Sequence, residues 1–249
     1  YLGARLLERL AAEGVDVLGV DIRPPPVARP VAEFVRQAVS LPCDGLFRGR
    51  SVAAVAHLAF LVAPRRDWAA ARKVNVGGAE NVLRACAAAG VRRVVYLSST
   101  TVYGAHPDNP VPLTEESPLR PVRGFQYGWH KAEAERLFQR FAAERPEARL
   151  AVLRGCVVLG PHADNFITRS FFQPVMLGVS GHDPPLQFAH EDDVAEVLLR
   201  VLSDEVRGVL NLAPPGVLSY SEVARRAGRR LVRLPARLLA ALTDITWRL

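Results

Sequence analysis

The sequence is short of lysine, short of cysteine and without a long hydrophobic run, and each shortage narrows what the chain can be. Only two lysines, Lys73 and Lys131, stand among 32 basic residues. The basic residues are scattered, with no long run of one sign and no interleaving of arginine with aromatics. The net charge of +7 therefore gives no reason to expect a nucleic-acid partner, although it suits anionic small ligands. The three cysteines, Cys43, Cys86 and Cys156, are odd in number and far apart, which argues against a disulfide framework. Each lies in or beside an apolar segment, as a buried free thiol does. The longest apolar stretch, Val52 to Ala63, is interrupted by His57 and is too short to span a bilayer. With no signal-peptide pattern, the expectation is a cytoplasmic protein with no membrane partner. Internal repeats and low-complexity linkers are missing as well.

What remains is globular: 249 residues, 49% hydrophobic, with mean hydropathy +0.09. The length fits one large α/β domain, or one domain with a small lobe. Leu2, Leu6, Leu7 and Leu10 recur at helical spacing, and Gly14 to Asp21 reads as a loop and a buried strand closed by an acid. Helix then strand ending in Asp is the second half of a dinucleotide-binding βαβ unit. On that reading the first strand and a Gly-rich turn precede Tyr1, and Gly3 is the turn's last glycine, whose missing side chain lets helix and strand pack closely.

A Pro-rich turn at Pro24-Pro25-Pro26 leads to a short strand near Phe34 to Val39, and Val52 to Ala59 reads as a buried strand. Helical spacing runs from Trp68 to Ala89 and stops at Gly90, a C-terminal cap. A strand at Val91 to Ser98, a helix at Tyr127 to Ala143 and a strand at Leu150 to Leu159 follow. This alternation predicts a Rossmann-type, doubly wound parallel sheet covered on both faces, with ligands at the carboxyl ends of its strands. Beyond Pro161 the spacing predicts a helix near Phe166 to Met176, a loop at Gly178 to Pro185 and a helix from His190 to Leu202. A short strand at Val209 to Leu212 and a helix capped by Ser219 or Ser221 close the series. The expected division is a dinucleotide-binding domain over 1–160 and a small substrate-binding lobe over 161–249, some segments of which return to the first domain.

The sharpest chemical feature is Tyr127-Gly128-Trp129-His130-Lys131. Positions i and i+4 share a helix face, so the Lys131 ammonium lies near the Tyr127 phenol and favours its ionised form. Such a tyrosine serves as general acid or base between an alcohol and a ketone. With five tyrosines and two lysines, roughly one chain in 25 of this composition would hold Tyr-x-x-x-Lys by chance. A retained lysine in an arginine-rich chain adds weight, since its compact ammonium also suits ribose hydroxyls. Ser98-Ser99-Thr100-Thr101 follows a strand, where a hydroxyl faces the ligand crevice. A Ser/Thr cluster alone is as readily a turn.

Taken together these residues resemble the extended short-chain dehydrogenase/reductases, the NAD-dependent epimerase/dehydratase family. The motifs run in the family's order: His57-Leu58-Ala59, Asn75-Val76, Ser99 four before Tyr103-Gly104, Tyr127 with Lys131, and Arg154 with Gly160-Pro161. The last is Phe188-Ala189-His190-Glu191-Asp192-Asp193-Val194, where the family has Phe-Val-His-Val-Asp-Asp-Val. The resemblance implies Ser99, Tyr127 and Lys131 as catalytic residues. It implies NAD, with NADP as the alternative, held by Gly3, Asp21, Ile22, Arg23, Leu58, Ala59, Tyr127 and Lys131. A small-molecule substrate would meet Ser99, Thr100 and Asn165. The Asp21 carboxylate repels a 2′-phosphate, which favours NAD, while Arg23 works the other way. Asn75 and His57 are scaffold residues in the family. A homodimer through the helices around 68–88 and 127–143 is also implied.

Departures narrow the chemistry. Family 4,6-dehydratases carry Asp-Glu where this chain has Thr100-Thr101, which argues against dehydration. Sugar-nucleotide enzymes commonly carry Arg at the position of Leu186 and Asn at that of Val157, and losing both removes donors for a pyrophosphate. Three readings stay open. One is epimerisation of a nucleotide sugar, one is a dehydrogenase or reductase of a less charged alcohol or ketone, and one is a dinucleotide-binding sensor without turnover. His106, His130, His162 and His182 lack metal-ligand spacing, so no metal is expected. Glu191-Asp192-Asp193 read as acids charging a helix start, and Glu115-Glu116 as solvated.

Overall fold

Period-two alternation organises the centre of the molecule. Along one strand Val94 and Tyr96 point to one face while Val95 and Leu97 point to the other, and Leu150, Val152 against Ala151, Leu153 repeat the pattern on the neighbouring strand. The computed structural model describes residues 1–24, 32–204 and 206–248, the last six by backbone alone. Pro25 and Pro26 of the expected Pro-rich turn lie outside the described residues.

The chain opens with α1 (Leu2–Ala12), β1 (Leu18–Asp21), β2 (Glu33–Arg36), β3 (Ala54–His57), α2 (Trp68–Ala88) and β4 (Arg93–Ser99). A 3₁₀ turn over Thr100–Tyr103 leads through a loop to α3 (Gln126–Glu144), β5 (Arg149–Gly155) and β6 (Val157–Leu159). Then come α4 (Phe166–Phe171), β7 (Val175–Val179), β8 (Pro185–Leu186), β9 (Phe188–His190), α5 (Glu191–Ser203) and β10 (Gly208–Leu212). The chain closes with β11 (Leu218–Ser219), α6 (Tyr220–Arg226), β12 (Arg230–Leu234) and α7 (Ala236–Arg248).

A parallel sheet of order β10-β5-β4-β3 forms the middle, and β1 and β2 make a separate parallel pair. One face is covered by α2 and α3, whose Val82, Leu83, Ala134, Phe138 and Phe141 pack on Val94, Tyr96 and Val152 with Cys43 and Cys86. The other face is covered by α1 and α5 through Leu2, Leu6, Leu10, Val194, Leu198 and Val201. Arg5 and Arg9 fasten these two helices by ion pairs to Asp192 (2.5 Å) and Glu196 (3.0 Å). The doubly wound α/β architecture is the one the alternation calls for. The α2 helix starts on an Asp67 cap, and Gly90 just beyond its end has a positive φ of 64°.

Three local expectations need correction. The run from Leu150 to Leu159 is two strands, because at Cys156 the chain leaves the central sheet and β6 pairs with β9 instead. The helix expected over Phe166 to Met176 stops at Phe171. Pro174 has no N–H to continue it, and Val175–Val179 extends into a parallel pairing with β12. That pairing also shortens the loop expected from Gly178. Met176, Phe171, Val223 and Ala224 centre a small second core there, distinct from the two sheet faces.

Candidate active site

The carboxyl ends of β3, β4, β5 and β10 share one edge of the sheet, and the hydroxyl of Ser99 ends β4 there. Its side chain caps the 3₁₀ turn, accepting from the Thr101 N–H (3.3 Å) and the Thr101 hydroxyl (3.0 Å). The first turn of α3 lies directly on this turn. A Cβ at Gly128 would stand 3.0 Å from the Thr101 carbonyl oxygen and 3.2 Å from Phe125, so glycine permits an approach that alanine would oppose. Tyr127 is thereby delivered beside Ser99, whose hydroxyl favours the ionised form of its phenol.

Lys131, one turn further along α3, is buried. Its ammonium donates to the Leu97 carbonyl at 2.6 Å and lies 3.8 Å from the Phe60 ring centroid, 4.9 Å from that of Tyr96 and 5.8 Å from that of Tyr127. Burial pushes Lys131 down to about 7, against an opposing pull from Glu135. Burial likewise pushes Tyr127 up to about 12, with the Ser99 hydrogen bond working downward and Tyr1 upward. The sequence led to the opposite expectation, that Lys131 would lower the phenol. In both residues burial is the largest cause of the shift.

Behind these residues runs a buried polar network. The Glu135 carboxylate accepts from Arg154 (Nη2, 2.6 Å) and from the Ser98 hydroxyl (2.7 Å). Arg154 also donates to the Tyr103 hydroxyl (2.7 Å) and the Glu115 carbonyl (2.9 Å), and Tyr103 in turn donates to Asn211 (2.6 Å). Burial works against the charged Arg154, but hydrogen bonds to Glu135 and Tyr103 raise it above the ordinary arginine value. Glu115, expected to be solvated, is exposed and yet accepts the Asn211 N–H at 2.7 Å through its side chain.

The residues expected to hold a dinucleotide lie along the neighbouring strand ends. Asp21 closes β1, exposed, and accepts the Arg23 N–H at 3.0 Å; Ile22 and Arg23 follow it at the surface. Leu58 and Ala59 follow β3, and Leu58 lies beside Gly3. A Cβ at Gly3 would meet Leu58 at an ordinary 3.8 Å, so contact with Leu58 does not require glycine. The α1 helix begins with no side-chain cap and no acid in its first turn. Thr100 opens the 3₁₀ turn next to Ser99.

Asn165, expected to meet substrate, starts α4. Its carbonyl oxygen accepts the N–H groups of Ile167 (2.9 Å) and Thr168 (3.2 Å) as the N-terminal cap of α4. Asn75 joins α2 to the loop after β3, accepting from the Leu61 N–H at 2.7 Å. His57 is buried between Tyr96 and Phe138, held down to about 3 by burial and by Lys131. Glu191 charges the start of α5 as expected, yet it is buried and receives the His162 imidazole at 2.6 Å. Among the described residues no cluster of three or more His, Cys, Asp or Glu could hold a metal, and no helix is long and apolar enough to cross a membrane.

The sequence matches the NAD dependent epimerase/dehydratase family over residues 1–213. The chain belongs to that family. An uncharacterized protein of Mycobacterium tuberculosis is 35% identical over 247 residues, which cover 94% of this chain and 65% of the relative. The chain thus spans just under two thirds of the length of that curated relative. Among solved structures, MoeE5 in complex with UDP-glucuronic acid and NAD is 30% identical, with a TM-score of 0.79 over 95% of this chain and 83% of that one. The UDP-glucose 4-epimerase of Thermotoga maritima, at 19% identity, shares the fold with a TM-score of 0.81 over 95% and 84% of the two chains. Within this family member, sequence reasoning missed Phe60 and Glu135. For Phe60 the sequence carried no signal. Glu135 lies four residues after Lys131 and eight after Tyr127, on the same helix face, and that spacing could have found it.

Proposed function

We propose that this family member binds NAD across the carboxyl edge of its sheet and uses Ser99, Tyr127 and Lys131 to interconvert a secondary alcohol and a ketone. The observation that carries the reading is the placement of Tyr127 and Lys131 on successive turns of α3 against the end of β4 that bears Ser99, with the Lys131 ammonium on the Leu97 carbonyl and 5.8 Å from the Tyr127 ring centroid. The residues suit the cofactor. The exposed Asp21 carboxylate can accept from ribose hydroxyls while repelling a 2′-phosphate. Leu58, beside Gly3, and Ala59 lead from β3 to Phe60, whose ring faces the Lys131 ammonium. When bound, the nicotinamide supplies the hydride acceptor and returns the hydride. Tyr127 takes the proton from the substrate hydroxyl, or gives it to the ketone oxygen, and Ser99 holds that same oxygen. A protonated Lys131 beside Tyr127 favours the ionised phenol that base chemistry needs.

The proposed substrate is a nucleotide sugar, turned over by an epimerase or oxidoreductase. The 30% identical MoeE5 complexed with UDP-glucuronic acid and NAD supports that choice. One observation favours a second reading, a dehydrogenase or reductase of a less charged alcohol or ketone. Leu186 and Val157, at the two positions where pyrophosphate anchors are expected, both pack against the core of Phe171, Met176, Val223 and Ala224. In this scheme residues 1–160 bind the dinucleotide and the lobe within 161–249 binds substrate, with β10 returning to the central sheet. The protein is further proposed to act in the cytoplasm as a homodimer. Its contact would be the outer groove between α2 and α3, where Leu83, Leu137 and Phe141 are rimmed by charges of both signs at Glu80, Arg84 and Arg140. Light scattering tests that assembly, and a monomer would refute it.

The deciding experiment is to purify the full-length protein, denature it and identify any released nucleotide. Stoichiometric NAD supports the epimerase, whose cofactor is recycled in place. An empty site that binds added NAD or NADH with micromolar affinity supports the dehydrogenase or reductase. Failure to bind NAD or NADP in any redox state refutes the functional reading.

A further inference from the structure

Glu135 is wholly enclosed, and the reaction proposed above gives it no part. Its three side-chain partners are informative by where they sit. Ser98, donating at 2.7 Å, immediately precedes Ser99 on β4. Arg154, donating at 2.6 and 3.1 Å, stands on β5 and reaches the Tyr103 hydroxyl that closes the 3₁₀ turn. Gln139 donates at 3.1 Å from the next turn of α3. Glu135 itself lies one turn after Lys131 and two after Tyr127. A single carboxylate therefore ties the helix carrying Tyr127 and Lys131 to the strand end carrying Ser99.

The surroundings of Lys131 favour its charge through a carbonyl and ring faces, and through one acid. From β3 it faces His57, from β4 Tyr96 and the Leu97 carbonyl, from the following loop Phe60, and from its own helix Tyr127 and Glu135. His57 is neutral at physiological pH, and of these side chains Glu135 alone is an acid that pulls Lys131 towards its protonated form.

We propose that Glu135 is the positioning residue of the Ser99–Tyr127–Lys131 site, holding α3 against the end of β4 and supplying the counter-charge for the buried Lys131 ammonium. The inference deepens the functional reading given above and rests on it for the meaning of the site. Its test, however, does not depend on turnover. Lysine is scarce in the chain, so labelling the full-length protein with ¹³C-lysine gives a sparse set of side-chain Cε signals, and the one that disappears in Lys131→Arg belongs to Lys131. In the wild type the Lys131 signal should titrate near 7, and Glu135→Gln should move its midpoint downward. A midpoint unchanged by Glu135→Gln overturns the proposal. Glu135→Gln leaves the buried Arg154 charge without its partner, which is costly to the fold. The double variant Glu135→Gln, Arg154→Met is therefore read against Arg154→Met alone, and its Lys131 midpoint should lie below that of the single variant; equal midpoints refute the role. A wild type that binds no dinucleotide would sink the functional reading but would leave this titration intact.

Discussion

Replacing Lys131 by methionine should stabilise the protein in a manner set by pH. Burial lowers the lysine from about 10.5 to about 7 in the folded chain. At about 1.4 kcal/mol per unit, that is a penalty of order 5 kcal/mol for holding the ammonium inside. The sign follows from proton counts. Below about pH 7 folded and unfolded chains both carry the proton, and the penalty is present in full. Between about 7 and 10.5 the folded lysine is neutral while the unfolded one still binds a proton, so the penalty fades by about 1.4 kcal/mol per unit. Above that range it is gone. Lys131→Met lacks this dependence. It loses the hydrogen bond to the Leu97 carbonyl, about 1–3 kcal/mol, which is nearly constant with pH. Urea unfolding of both proteins at pH 6, 8 and 9.5, followed by the fluorescence of the three tryptophans, gives the stability difference directly. The advantage of the variant should be largest at pH 6 and should shrink steadily towards pH 9.5. A difference that stays flat with pH would refute the buried, depressed lysine, whatever its absolute size.

Other consequences follow from the same geometry. Gly128→Ala places a Cβ against the Thr101 carbonyl and Phe125, and should cost about 1–3 kcal/mol while moving Tyr127 off Ser99. Urea unfolding and turnover should both fall, and an unchanged variant would remove the close approach from the account. Asp21→Asn should weaken NAD binding by about 10-fold or more, read by calorimetry, as a charge-assisted hydrogen bond to ribose is lost. Unaltered affinity would separate Asp21 from the cofactor. Asn165→Ala should lower stability by about 1 kcal/mol through loss of the α4 cap, with little change in substrate KM. A tenfold rise in KM without destabilisation would make Asn165 a substrate contact after all.

Much of the fold was legible because it depends on local pattern. The helix from Trp68 carried both its apolar spacing and its stop at Gly90, and the alternation around Val94 to Leu97 marked a strand buried on both faces. The stretch after Phe166 was not legible in the same way. Val175–Val179 becomes a strand by pairing with residues 230–234, more than 50 positions along the chain, and a local reading saw only a continuing helix. The site divides similarly. Tyr127 and Lys131 were found from their i,i+4 spacing, but their acidities were misjudged because burial by Phe60, Tyr96 and Leu97 outweighs the charge of one on the other. Asn165 drew attention as a polar residue in the expected substrate lobe, whereas its carbonyl oxygen is used by the backbone of α4. Glu191 stands where the family has valine, and only the fold reveals its enclosure beside His162.

The central claim is that Tyr127 transfers the proton in an NAD-dependent interconversion of alcohol and ketone. Its most direct test compares the full-length wild type with Tyr127→Phe, offering NAD and either UDP-glucose or UDP-glucuronic acid and following NADH absorbance and sugar products together. The account expects wild-type turnover to fall by about 10²–10⁴-fold in the variant while NAD affinity stays within a few-fold. Turnover by Tyr127→Phe at the wild-type rate, with NAD still bound, would contradict it.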